Sequence, residues 1–325
     1  MAAITSLNEP DLESLLANYE LGGLERYWPA TNGVENTNYF VRVANQRGPH
    51  EIVVTMLERP PNSGALLVPM LDACVEAGLP VAPIIRNRNG STSDRVNGKA
   101  TMVSPRLAGR HVVNPTVRQC ESVGRFLARF HKATYSLRDR APDHPRNEAW
   151  LVQNAEQVRG RIPYGEYRLL RDAVESIGSM LRREDVHRLP RGIVHGDLFR
   201  DNVLFSERAL TGVLDFHHAA AGYWIFDLAV VANDWCNDVG GVLDLDRTLA
   251  LLRAYNAIRP LTATELWHFP MFALYAATAF WLSRLTAALR RDPEITVRFN
   301  NPDEFQRIVE RHAAHFCYID ARLLG

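Results

Sequence analysis

The chain has 325 residues, 46% of them hydrophobic, which is ample for a buried core and suits two lobes or domains. Its 37 basic and 37 acidic residues cancel, with no block of like charge to suit nucleic acid or an anionic membrane. The four cysteines (Cys74, Cys120, Cys236, Cys317) lie far apart and read as reduced thiols, not as a disulfide framework or a zinc site.

Met1 to Tyr19 lacks the basic flank and apolar centre of a secretory signal, and a cytoplasmic protein is expected. Asp11 to Tyr19 reads as a short helix. Tyr39 to Val43 and Ile52 to Leu57 are apolar and β-branched, with a polar turn between them, and read as strands. Ala65 to Ala77 reads as a helix ended by Gly78 and followed by Pro80. Ala82 to Arg86 and Ala100 to Ser104 flank a polar turn and predict a hairpin. Asn114-Pro115 predicts a helix cap with proline in the first turn. Val117, Cys120, Val123, Leu127 and Phe130 then form one apolar helical face.

Farther on, Thr262 and Glu265 fit a capping box ahead of Leu266 to Leu282, the most apolar stretch. His268, Pro270 and Thr278 interrupt it, so it falls short of a clean span of about 18 to 20 residues and reads as a buried helix. Phe305, Ile308, Val309, His312 and Phe316 predict a last amphipathic helix.

The most informative segment is Ile193 to Phe205, IVHGDLFRDNVLF, followed by Val213 to Phe216, VLDF. Val203 to Phe205 and Thr211 to Leu214 read as two strands around a turn, so Asn202 and Asp215 converge although far apart in sequence. Asp197 lies in the loop entering that hairpin. Phosphoryl transfer from ATP needs a carboxylate to orient a hydroxyl and accept its proton. It also needs oxygen ligands to hold Mg²⁺ on the phosphates. Asp197 suits the first role, and Asn202 with Asp215 the second. Any one of these is an ordinary turn residue; the ordered triplet between apolar runs is not.

These motifs resemble the aminoglycoside phosphotransferase and choline kinase superfamily, small-molecule kinases with a protein-kinase-like fold. Further stretches are similar to the homoserine kinases of that superfamily. They are Gly33 to Val41, Val54 to Glu58, Ala77 to Val81, Pro105 to His111, His195 to Asn202, Asn233 to Cys236 and Phe280 to Arg284. The resemblance spans residues near 5 to near 315. It implies an α+β, two-lobed fold: a small antiparallel-sheet lobe over 1–105, a hinge over 106–114 and a large, mostly helical lobe over 115–325.

On the nucleotide side the resemblance places the turn from Thr31 to Phe40 over the ATP phosphates. Gly33 allows close backbone approach, and Asn32, Asn36 and Asn38 can donate hydrogen bonds. Kinases carry a lysine on the third strand, paired with a glutamate on the next helix. Here Thr55 stands at that place, and the first half of the helix has no glutamate. Arg42 and Arg106 are the candidates for a replacement phosphate contact. The adenine is expected against the hinge, near Val103 to Leu107.

On the acceptor side, Arg200 either neutralises a substrate carboxylate or the transferring phosphoryl group, or anchors the loop. His195 is expected to hold the loop, and Asp227 to cap a helix and brace the loop. Asn233, Asp234 and Trp235 are placed towards the acceptor cleft. Asp234 and Arg284 would receive the ammonium and carboxylate of an amino acid, or else pair with each other. The resemblance implies L-homoserine as acceptor in threonine biosynthesis, with ATP and Mg²⁺. Choline, ethanolamine or an aminoglycoside are the alternative acceptors, and Trp224, Trp235 and Trp281 would be the cage for a quaternary ammonium. A nucleotide-binding pseudokinase is the reading outside catalysis.

Overall fold

Strands β1 (Gly23–Pro29), β2 (Thr37–Asn45) and β3 (Gly48–Met56) form an antiparallel meander. With β4 (Asp94–Val96) and β5 (Lys99–Pro105) they make one sheet in the order β1-β2-β3-β5-β4. The computed structural model describes residues 5–30, 36–59, 63–207, 209–238, 240–289, 301–315 and 318–324. Alternation decides which face of the sheet is covered. Tyr39, Val41, Val43, Ile52, Val54, Met56 and Val103 are buried together. They pack on Leu12, Leu15 and Leu16 of α1 (Glu9–Leu16) and on Tyr19. The opposite face carries Asn38, Phe40, Val53, Thr55 and Met102, all half-buried. Met102 packs against the core of the large lobe, so this face looks into the cleft between the lobes.

Two expectations for the small lobe fail for local reasons. Ala82 to Arg86 is not a strand: Pro83 has no N–H to give. The segment meets the sheet where Ile85 N–H donates to the Val103 carbonyl (2.8 Å). The Asn87 side chain then accepts from Asn89 N (3.0 Å) and Ser91 N (2.9 Å), which closes a turn. The hairpin partner of β5 is β4, joined through Asn97 and Gly98, both left-handed (φ 51° and 76°). Helix α2 (Leu67–Glu76) forms where expected, but its packing crosses the boundary expected at residue 105. Leu67, Met70, Leu71 and Cys74 belong to the large lobe's core, and Val213 N–H donates to Pro80 O (2.8 Å).

The large lobe begins with α3 (Val117–Ala133). Its cap is Thr116, not Asn114: Thr116 and Gln119 exchange the two bonds of a capping box. Helices α4 (Glu148–Val158), α5 (Tyr164–Leu181) and α6 (Glu184–His187) lead to β6 (Arg191–Val194). The hairpin β7 (Val203–Ser206) and β8 (Ala209–Val213) follows, then β9 (Ala220–Tyr223), which pairs with β6. Helices α7 (Trp224–Trp235), α8 (Leu245–Asn256), α9 (Ala263–Leu289) and α10 (Pro302–Ala314) complete the lobe. A Cβ at Gly124 would sit 2.3 Å from the Leu251 carbonyl oxygen, so glycine there lets α3 and α8 approach closely. The capping box of Thr262 and Glu265 is present. Helix α9 is long and apolar enough to cross a membrane, but 72% of its most apolar window is buried in this lobe, and it serves as a core helix.

Candidate active site

The loop between β6 and β7 is held from below by buried groups. The Asp227 carboxylate, in the first turn of α7, accepts from His195 N (2.7 Å), Gly196 N (2.8 Å) and His131 Nε2 (3.0 Å). The Tyr255 hydroxyl donates to His131 Nδ1 (2.7 Å), which fixes that ring as the neutral tautomer. Burial alone would raise the Asp227 pKa; the bonds from His131 and Gly196 outweigh it, and the pKa is lowered. Asp227 therefore braces the loop as expected, but no side chain caps α7. His195 is buried too: its Nε2 donates to Leu214 O (3.0 Å) and its Nδ1 accepts from Asp197 N (3.3 Å). Burial lowers its pKa, so it is a neutral strut.

Gly196 turns the chain with φ 75°, in the left-handed region that glycine tolerates. That turn leaves Asp197 half-buried at the rim of the loop. Burial pushes its pKa up to about 7, against the pull of His218 and Arg146. The Asn202 Nδ2 donates to both the carbonyl (2.8 Å) and Oδ2 (3.1 Å) of Asp197. This leaves Asn202 Oδ1 as the amide's acceptor atom. Leu214 N–H donates to Asn202 O (2.8 Å), so the hairpin brings Asp215 beside Asn202. Asp215 itself is left-handed (φ 60°, ψ 63°), uncommon for a residue other than glycine. Its Oδ1 is buried without a hydrogen-bond partner among the described residues. A carboxamide oxygen beside a carboxylate with an orphaned oxygen fits a hard divalent cation that draws its other ligands from phosphates and water.

The remaining candidates divide sharply. Gly33 and Asn32 lie outside the described residues. Asn36 Oδ1 accepts from Glu58 N (3.3 Å), and the Thr55 hydroxyl donates to Asn38 Oδ1 (2.7 Å) on the cleft face of the sheet. Val103 does not face the cleft: its side chain is buried against α1, and its carbonyl is taken by Ile85. Arg106 is committed elsewhere, ion-paired to Glu51 (2.6 Å) and lying over the Phe40 ring (4.0 Å). Arg42 is an exposed partner of Glu25 (3.1 Å). The lysine–glutamate pair of this lobe is Lys99 with Glu58, which also binds the hydroxyls of Thr5 (2.8 Å) and Thr37 (2.6 Å).

On the acceptor side, Arg200 and Asp234 bind each other. Asp234 Oδ2 accepts from Arg200 N (2.7 Å) and Nε (3.1 Å), while Arg200 NH1 donates to Val113 O (2.7 Å). Burial pushes the Asp234 pKa up to about 6, with Arg200 opposing. The loop-anchoring alternative for Arg200 is the one its contacts match. Arg284 pairs with Glu304 (2.7 Å) on α10, not with Asp234. Trp235 is fully buried, and its indole donates to Leu198 O (3.1 Å), so it supports the loop from the core. Asn233 is buried as well, donating to Ala273 O (2.8 Å), and so does not reach the cleft. Trp224, Trp235 and Trp281 are all buried and make no open cage.

Arg146 is the charged group beside Asp197 that sequence reasoning missed. Its NH1 donates to Gly196 O (3.3 Å), its Nε to Ser283 Oγ (3.3 Å), and its guanidinium covers the Phe280 ring (4.4 Å). The loop that carries it is tied to β9: Ala221 N–H donates to Pro142 O (2.7 Å) and His144 N–H to Ala221 O (3.0 Å). A lone arginine in an irregular, proline-containing loop leaves no periodic signal. Only the pairing with β9 brings it to the site.

A small sheet over a helical lobe, with a carboxylate, an amide and a second carboxylate converging at their junction, is the arrangement of a kinase acting on a small molecule. The family model described as the phosphotransferase enzyme family matches residues 28–261. A homoserine kinase of Pseudomonas aeruginosa is 38% identical over 96% of each chain. One from Methylobacillus flagellatus is 34% identical over 97% of this chain and 96% of its own. Among solved structures, the amicoumacin kinase hAmiN in complex with AMP-PNP and Ca²⁺ has the same fold. Its TM-score is 0.68 at 15% identity, covering 94% of this chain and 92% of that one. The chain belongs to the phosphotransferase enzyme family.

Proposed function

We propose that this protein transfers the γ-phosphoryl group of ATP to the side-chain hydroxyl of L-homoserine, giving O-phospho-L-homoserine for threonine biosynthesis. The observation that carries the acceptor is the likeness to homoserine kinases over nearly the whole length of both chains. The site supports the chemistry. Asp197 orients the acceptor hydroxyl and accepts its proton late in the transfer. Asn202 and Asp215 would hold Mg²⁺. That cation would supply charge neutralisation on the phosphates. Asn202, bonded to the Asp197 backbone and carboxylate, keeps the base and the cation site in register. Asn36, Asn38 and Thr55 line the nucleotide side. Arg200, Asp234 and Trp235 hold the catalytic loop, and closure of the small lobe over it would limit access of water to the transferred group.

ADP release with Mg-ATP tests this directly, comparing L-homoserine with choline, kanamycin and no acceptor. Stimulation by homoserine alone is expected. Stimulation by another alcohol would keep the phosphotransferase and replace the acceptor. Nucleotide binding with no stimulation by any would move the protein to the pseudokinase reading.

A further inference from the structure

The cations first considered for an acidic group on the acceptor are already neutralised. Arg200 is paired with Asp234, and Arg284 with Glu304. Arg146 differs from both. The hydrogen bonds it makes to described residues go to neutral oxygens, a backbone carbonyl and a serine hydroxyl, each at 3.3 Å. Two of its five N–H donors are thereby used, and the rest of the fork remains for a planar anion. Its orientation is fixed from three sides: Phe280 beneath the guanidinium, Tyr275 donating to its backbone carbonyl, and the pairing of its loop with β9.

We infer that Arg146 binds the α-carboxylate of the amino-acid acceptor; this rests on the homoserine reading above. The spacing agrees. Gly196, which Arg146 touches, precedes Asp197 by one Cα step of about 3.8 Å. A short three-carbon stem separates homoserine's carboxylate from its hydroxyl. On the other side Ser283 carries the contact outward. With Trp150, Gln153, Asn154, Gln157 and Thr286 it lines a cavity of about 360 Å³. Ser283 is thus shared between Arg146 and that cavity. One guanidinium therefore joins the catalytic loop to a polar cavity wall. An acceptor carboxylate bound there would sit in a charge-assisted bond, and homoserine would be favoured over an amino alcohol that lacks the carboxylate.

The test is Arg146→Met, with two competitive inhibitors set against homoserine. L-2-Aminobutyrate keeps the carboxylate and lacks the hydroxyl; propylamine lacks both. In the wild type, aminobutyrate should inhibit far better than propylamine. In Arg146→Met the homoserine KM should rise roughly 10- to 100-fold, the scale of a lost hydrogen bond to a charged group. The KM for ATP should stay put, and the preference for aminobutyrate over propylamine should collapse. An unchanged homoserine KM, a fall in kcat alone, or a preserved inhibitor preference would each overturn the assignment. If Arg146→Met does not fold, as judged by AMP-PNP binding, Arg146→Lys serves instead. It should give an intermediate KM and a reduced inhibitor preference, and wild-type values for both would sink the idea. A wild-type enzyme indifferent to homoserine but active on another alcohol would instead remove the acceptor reading, and this inference with it.

Discussion

The catalytic loop and the nucleotide sheet are secured in opposite ways. The loop rests on two charge-assisted anchors, Asp227 under His195 and Gly196 and Asp234 on Arg200, and on the buried Trp235 indole donating to the Leu198 carbonyl. The small lobe keeps its polar network at the edge, where Lys99, Glu58, Thr5 and Thr37 meet beside the start of β2. A buried network is unforgiving, because each lost partner strands another polar group. An edge network can be replaced by water. Damage to the loop should therefore cost rate and stability heavily, and damage to the sheet edge should cost nucleotide affinity modestly.

The largest effect should come at Asp197, half-buried at the rim of the loop. Asp197→Asn keeps the shape and removes the base. The kcat should fall roughly 10²- to 10⁴-fold, the span of general base catalysis. Nucleotide affinity should remain close to wild type, since the proposed role of Asp197 is towards the acceptor hydroxyl and not the nucleotide. Steady-state rates with equilibrium ADP titration separate the two. Loss of nucleotide binding together with rate would mean that Asp197 belongs to the nucleotide site.

Beneath the loop, Asp227→Ala should act on stability. It strands the N–H groups of His195 and Gly196 and the Nε2–H of His131 in the core. Breaking such a buried set costs about 3–5 kcal/mol. Denaturant midpoints should show it, and a shift of less than about 1 kcal/mol would show that the loop is not braced from below.

This contrast also governs what was readable in the sequence. The loop was legible because its chemistry sits in turn residues at fixed spacing between apolar strands: Asp197, Asn202 and Asp215. The helices were legible from periodicity, although Thr116 outcompetes Asn114 as a cap because Gln119 completes its box. The small lobe was harder. Val103 falls on the α1 side by strand parity, and a sequence without a known register does not say which face looks into the cleft. Arg106, Arg200 and Arg284 are each candidates for a ligand contact by sequence, with loop anchoring the alternative for Arg200 and an ion pair the alternative for Arg284. Their carboxylate partners are 55, 34 and 20 residues distant, beyond any local pattern. Arg146 was invisible for the same reason in reverse, since its neutral partners carry no charge signal.

A pH effect follows from the packing of α7, α9 and α10. His312 Nε2 donates to Asn233 Oδ1 (2.8 Å), and burial pushes the ring's pKa down to about 4. The unfolded chain takes up that proton near the ordinary value of about 6.5, whereas the folded one resists until about pH 4. Stability is thus unaffected above pH 6.5 and declines as the pH falls towards 4, by at most about 3 kcal/mol. His312→Gln can keep a donor to Asn233 and has no proton to gain. Its stability should fall less than the wild type's over that window in chemical denaturation. Parallel curves would mean that His312 titrates normally.

The smallest effect should fall at the sheet edge. Lys99 is about a third exposed, Glu58 much less, and Glu58 N–H reaches Asn36 at the end of the nucleotide turn. Lys99→Met removes the cation and leaves the Glu58 carboxylate with the hydroxyls of Thr5 and Thr37 and with water. Because Lys99 still reaches water and the Thr5 and Thr37 hydroxyls remain on Glu58, losing the pair should cost only about 1 kcal/mol of stability. Its measurable role should be in holding the start of β2, on which Asn36 and Asn38 depend. The KM for ATP should rise up to about tenfold, equivalent to about 1.4 kcal/mol, with the homoserine KM unchanged. Glu58→Gln should behave alike, because both variants break the same pair. A drop in stability with no change in the KM for ATP would reduce the pair to a strap for the N-terminal segment. A collapse in kcat would give it the role of the lysine that Thr55 displaces from the third strand.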